Sequence, residues 1–190
     1  ALAFLDQMLL AGSALAGFAM DDMTRDDGWR FLIIGRRLER LIFLADAIAQ
    51  FLHTKTKRAP GCVEWQLELA DSIITYRTRY TSQPELLPTL DLVVFDPTNP
   101  HGIAFQLDAI DEAISAMEHE LGPFAGPPPD AQAELRDFDI ATLFDTPEPA
   151  CKALAAVLFA LQQAAYDLSD RISMQFFTHV DAVARRTVGS

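Results

Sequence analysis

The stretch from Thr24 to Leu52 constrains the fold more than any other part of the chain, because it reads as one long helix with apolar residues on nearly every side. At ~100° per residue, Phe31, Ile34, Leu38, Leu41, Ile42, Ala45, Ile48 and Leu52 share one broad face. Arg36, Glu39 and Arg40 fall on the other side, among Trp29, Leu32, Ile33, Phe43, Leu44 and Phe51. A helix apolar nearly all round is a buried helix, so these charges are expected in a buried or half-buried seam. Thr24 followed by Asp27 marks the helix start, since a hydroxyl and a carboxylate can accept from the free N–H groups of a first turn. Asp26 and Asp27 also suit the positive end of the helix dipole.

Around this element the pattern predicts further helices over residues 2–20, 62–80, 100–121, 131–144 and 148–180, with a short one within 90–95. Asn99 reads as a helix N-cap with Pro100 in the first helical position. Lys55, Lys57 and Arg58 with Ala59-Pro60-Gly61 read as a basic loop and breaker, and Gly122 to Pro129 as a stiff connection. No strand pair is evident. The fold class is all-α, an antiparallel helical bundle with one long C-terminal helix. One domain over residues 1–190 is expected, with 181–190 as a frayed tail.

Charge narrows the partners. The net charge is −12, but residues 1–80 carry ten acids against ten bases, and residues 81–190 seventeen against five. An acidic half argues against nucleic acid and against an anionic membrane surface, which need a basic face. Cys62 and Cys151 make no disulfide framework, so a reducing compartment, the cytoplasm, is expected. Ala1 to Met20 has no basic flank, and Asp6-Gln7 interrupts it; its unbroken part is shorter than the ~20 residues of a membrane span. A buried core helix is the expectation there. The chain starts at Ala1, in the middle of a helical pattern, and is expected to be a piece of a longer product.

Three groups of residues could carry chemistry. Arg36, Glu39 and Arg40 are either a carboxylate or phosphate site, since guanidinium forks grip such groups bidentately, or an internal salt-bridge network with Arg36 and Glu39 paired one turn apart. Glu64, Glu68 and Asp71 with Thr75 and Arg79 form a stripe that could do acid–base work or could be a solvated face. Tyr76, Arg77, Arg79 and Tyr80 could bond a ligand or simply pack at a helix edge. None of the four His has the Glu-x-x-His or zinc spacing, so no metal is expected. No Gly-rich phosphate loop or nucleophile elbow is present, and no cofactor is expected.

Three ordered blocks carry a family resemblance. The first is Trp29, Phe31, Leu32, Gly35, Arg36, Leu38, Glu39 and Arg40; the second runs from Asp71 to Tyr80. The third runs from Leu90-Asp91 through Asp96-Pro97-Thr98-Asn99-Pro100 to Phe105-Gln106-Leu107. Together they resemble the bacterial alpha-E domain, a helical family named for its Glu-Arg motif, over about residues 1–180. The resemblance implies earlier N-terminal helices with a Gly-Arg and Glu-Arg motif of their own. It also implies ATP-grasp-like ligases and transglutaminase-like proteins as partners. The expected role is therefore a helical partner domain of a peptide-ligase or peptide-modifying system. The alternative is an enzyme component that binds a carboxylate- or phosphate-bearing substrate with Arg36, Glu39, Arg40, Asp71, Thr75, Tyr76 and Arg79. An open pocket with unpaired arginines favours the alternative; closed mutual pairing favours the first reading. Because the first helix is apolar all round, this 190-residue form is also expected to self-associate.

Overall fold

The structure, a computed structural model, describes residues 2–54, 59, 61–80, 83–126 and 128–177. The expected basic loop at Lys55, Lys57 and Arg58 and the frayed tail at 181–190 lie outside the described residues. The described residues form α1 (Leu2–Asp21), α2 (Asp27–His53), α3 (Cys62–Leu69), α4 (Ile73–Tyr80) and α5 (Leu86–Leu90). A π-helical turn, Asp91–Phe95, continues α5, and α6 (Ile103–Leu121), α7 (Asp130–Arg136), α8 (Thr142–Asp145) and α9 (Pro147–Phe176) follow. No strand occurs among the described residues.

Three long helices make the core. Phe31 near the start of α2 meets Phe176 at the end of α9, at 4.9 Å between ring centroids. At the other end of α2, His53 stacks on Phe159 at 5.7 Å, so α2 and α9 run antiparallel. Arg30 reaches Glu120 at the end of α6 while Arg37 reaches Gln106 near its start, so α2 and α6 are antiparallel too. The apolar face expected of α2 is the one buried: Ile34, Leu38, Leu41, Ala45, Ile48 and Leu52 are all in the core. Leu107 and Ile110 of α6 and Leu154, Leu158 and Leu161 of α9 join them. Each of these leucine and isoleucine side chains contributes roughly 1.5–3 kcal/mol of burial.

Local chemistry moves several expected boundaries. The N-cap of α2 is Asp26 rather than Thr24; its Oδ1 accepts from the Trp29 backbone N–H at 3.1 Å. The expected helix over 62–80 is broken between Leu69 and Ile73, because Asp71 takes a left-handed conformation with φ 50°. Aspartate tolerates that region better than most residues, since its short side chain can bond locally. Asn99 does not cap α6. It is buried in the turn before the helix, which begins at Ile103 after Gly102. The segment 131–144 forms two short helices, and α9 ends at Phe176, short of residue 180.

The first helix departs most from expectation. It is a helix over nearly the expected residues, yet it is not part of the core. Its Ala19 is buried, while Leu2, Phe4, Leu5, Met8, Leu9, Leu10, Leu15 and Phe18 are each more than half exposed. Periodicity registers apolar character but not which molecule covers it. The C-terminal end of α1 is fixed by the Trp29 indole, whose Nε1 donates to the Ala19 carbonyl at 3.1 Å. By length and composition alone, the window Leu2–Ala19 is apolar enough to cross a membrane.

Candidate functional site

One open groove brings together Arg36, Glu39, Arg40 and Asp71. Its volume is about 580 Å³, and α2 forms one wall with Ile33, Arg36, Arg37, Glu39, Arg40, Phe43 and Leu44. Leu69, Ala70 and Asp71 at the α3–α4 break, Pro100 and His101, and Gln106 of α6 form the other. Arg36 and Arg40 lie one turn apart and so share a face of the helix.

Arg36, Glu39 and Arg40 are exposed, which overturns the expectation of a buried seam. The reason lies in their apolar neighbours. Phe43 and Leu32 are themselves exposed, and Trp29 is turned toward α1, so α2 is open to solvent around the arginines even though Leu44 and Phe51 of the same side are buried. The expected Arg36–Glu39 pair does not form among the described residues, and no carboxylate makes an ion pair there with Arg36, Arg37 or Arg40.

The groove is electrostatically crowded. Arg40 Nη1 donates to His101 Nδ1 at 2.7 Å. Asp71 Oδ2 lies 3.7 Å from that same nitrogen, with its side chain 82% exposed. A nitrogen that accepts from a guanidinium carries no proton, so His101 is neutral in this arrangement with its proton on Nε2. Burial lowers the His101 pKa below the usual range, Arg40 and Arg37 push the same way, and Asp71 opposes them. Arg37 is half-buried; its Nη1 donates to Gln106 Oε1 at 3.1 Å and its guanidinium lies over the Phe105 ring at 5.0 Å. Burial lowers the Arg37 pKa, and the neighbouring Arg36 and Arg40 charges push the same way.

The remaining expected residues sit elsewhere. Tyr76 is buried; its hydroxyl donates to the Gln83 carbonyl at 3.3 Å and accepts from the Glu85 N–H at 3.1 Å. Thr75 is half-buried on α4, outside the groove. Arg79 pairs with Asp96 and donates to the Thr98 hydroxyl at 3.1 Å. Burial opposes ionisation of Asp96, but the Thr98 hydroxyl and N–H and Arg79 outweigh it and hold this carboxyl below its ordinary range. Tyr80 donates to Asp91 Oδ2 at 2.8 Å, and burial together with that bond pushes its hydroxyl up to about 12. Glu64 pairs with Arg77 at 2.6 Å, so this member of the acidic stripe is a partnered surface residue. Thus Arg36, Glu39, Arg40 and Asp71 come together, while Tyr76 ties α4 to the segment before α5 and Arg79 ties it to Asp96 and Thr98 after the π-helical turn.

Arg37, His101 and Gln106 complete the groove and were not among the expected residues. Arg37 was legible as the neighbour of Arg36. His101 carries no spacing signal, because only the folded turn after Asp96 brings it to α2.

A family model described as a predicted alpha-helical domain with a conserved ER motif matches residues 1–177. The sequence contains one Glu-Arg dipeptide, Glu39-Arg40, on the wall of the groove. Uncharacterised proteins of Mycobacterium tuberculosis, strains H37Rv and CDC 1551, and of Mycobacterium bovis are each 30% identical over 116 residues. The shared stretch is 60% of this chain but 13% of each relative. No solved structure matches the chain.

Proposed function

This chain belongs to the Alpha-E family, and on that premise we propose that it is a binding domain whose arginine-walled groove takes a carboxylate- or phosphate-bearing group. One observation carries the reading. In a chain of 27 acids and 15 bases, Arg36, Arg37 and Arg40 face an open groove without a carboxylate ion pair among the described residues. Arg30, Arg77, Arg79 and Arg136 all have such pairs. Glu39 and Asp71 also line the groove but, among the described residues, form no ion pair with these arginines, and an anion between the guanidinium groups would gain bidentate, charge-assisted hydrogen bonds that neither carboxylate supplies.

The wider setting follows from the resemblance. The domain serves as an accessory to an ATP-grasp-like peptide ligase, or to a peptide-modifying system with transglutaminase-like members, in the cytoplasm. Carboxylates and phosphates are the groups that such chemistry handles. The small share of each mycobacterial relative that the chain matches fits a module within a larger protein. Thermal melting in inorganic phosphate and in citrate, against chloride at equal ionic strength, tests the reading. A ligand that binds only the folded state raises the midpoint as its concentration passes its dissociation constant. The expected rise is lost in Arg36→Gln. Equal midpoints in all three salts refute an anion site.

A further inference from the structure

We propose that α1 is the interface between two copies of this chain, with the α1 of one copy seated against the partner's α1 and in the groove between the partner's α2 and α9. The proposal is independent of the anion site. Eight large apolar side chains of α1 are more than half exposed, at on the order of 100 Å² each, a total that matches the ~800 Å² per partner of a stable interface. A typical monomer exposes no continuous apolar patch beyond ~300–600 Å². Because α1 is apolar on every side, pairing with one other helix covers only part of it. The second surface lies next to the point where Trp29 anchors α1. There a groove of about 340 Å³ is lined by Phe31, Leu32, Gly35, Ile172, Ser173 and Phe177. Leu32 and Phe177 in its rim are exposed apolar side chains as well.

Charge selects a second copy over an anionic lipid surface. The only charged residues of α1 are Asp6 and Asp21, with no base to meet anionic headgroups. Residues 1–80, which hold α1 and the α2 wall of the groove, balance ten acids with ten bases. The α9 wall belongs to the acidic half, whose charges are screened beyond ~8–10 Å at ordinary salt.

The test is sedimentation equilibrium of the full 190-residue chain at moderate salt, alongside three variants. The wild type is expected at twice the 21.0 kDa monomer mass. Leu9→Glu places a charge on α1 outside the core, so helicity and melting should persist while the dimer is lost. Gly35→Leu is the second probe. A Cβ at Gly35 meets no atom within 4 Å, so a side chain can start there and occupy the partner's seat, and the variant's melting curve checks that its own fold accepts the leucine. It should weaken dimerisation at least tenfold. Ile74→Glu, at an exposed apolar residue of α4, should leave the dimer unchanged. A monomeric wild type, an undisturbed dimer in Leu9→Glu or Gly35→Leu, or flotation of the monomer with neutral lipid vesicles would each overturn the proposal.

Discussion

Ser72 and Asn99, 27 residues apart, are joined inside the protein by a hydrogen bond of 3.1 Å from Asn99 Nδ2 to Ser72 Oγ. The bond ties the α3–α4 break to the turn before α6. It thereby places Asp71, the residue before Ser72, within 3.7 Å of His101. The rest of the Asn99 amide is also engaged. Nδ2 donates to the Leu92 carbonyl at 3.0 Å, and Oδ1 accepts from the His101 N–H at 3.2 Å. One buried side chain therefore joins both segments of this wall of the groove, and Gln106 adds a bond to the Pro100 carbonyl at 2.8 Å.

Asn99→Ala should accordingly cost about 1–3 kcal/mol, because it leaves buried partners without bonds. Urea denaturation checks this. The same variant should blunt any stabilisation by anions, since His101 loses its tether. An unchanged midpoint would mean that the turn is held by other contacts.

Gly102→Ala should destabilise as well. An added Cβ would lie 3.2 Å from the Leu92 carbonyl oxygen and 3.3 Å from those of Asn99 and Val93. All three are backbone atoms, so the π-helical turn must shift to make room, at roughly 1–3 kcal/mol. Thermal melting of the variant measures it.

Arg40→Met should change stability by less than ~1 kcal/mol, because Arg40 is solvent-exposed and its bond is to a neutral imidazole. Breaking a buried pair would cost ~3–5 kcal/mol. A loss on that larger scale in paired melting curves would restore the buried seam that the structure rejects.

His101 makes the groove sensitive to pH. Its Nδ1 stands between a donor, Arg40, and an acceptor, Asp71. The neutral ring accepts from Arg40; a protonated ring can only donate, which turns it toward Asp71 and leaves Arg40 to the groove. The folded-state pKa is lowered by burial, then by Arg40 and Arg37. The stability that comes from keeping the ring neutral is therefore fully present above the unfolded value of ~6.5 and is lost as pH falls through the folded value. Relative to His101→Asn, the wild type should lose stability as the solution is acidified. Sulfate affinity should rise over the same range by about fivefold, the ~1 kcal/mol of one added unit charge near the anion in a solvated site. Sulfate does not titrate there, so calorimetric titrations at several pH values isolate the protein's part. A pH-independent affinity would remove His101 from the account.

The sequence made the bundle legible because the apolar spacing of α2, α6 and α9 coincides with the faces that are buried. It hid the kink at Asp71. Ile73 and Tyr76 continue the apolar spacing of α3, and a single left-handed aspartate leaves no periodic trace. It hid His101 for a related reason, since that position depends on a hydrogen bond between segments distant in sequence. Spacing reveals the Arg36, Glu39 and Arg40 cluster but not its environment. Apolar neighbours along a helix are not neighbours in space, and Phe43 and Leu32 open toward solvent. The same limit holds for α1, because an apolar girdle on a helix does not say whose surface meets it.

The central claim is that Arg36 and Arg40 are an anion's partners. The most direct measurement is the ¹H–¹⁵N spectrum of the arginine Nε–Hε groups during titration with inorganic phosphate at constant ionic strength. The account predicts saturable shifts at Arg36 and Arg40, with Arg77, paired to Glu64 at 2.6 Å, unmoved. Shifts at no arginine, or equal non-saturating shifts at all of them, would contradict it.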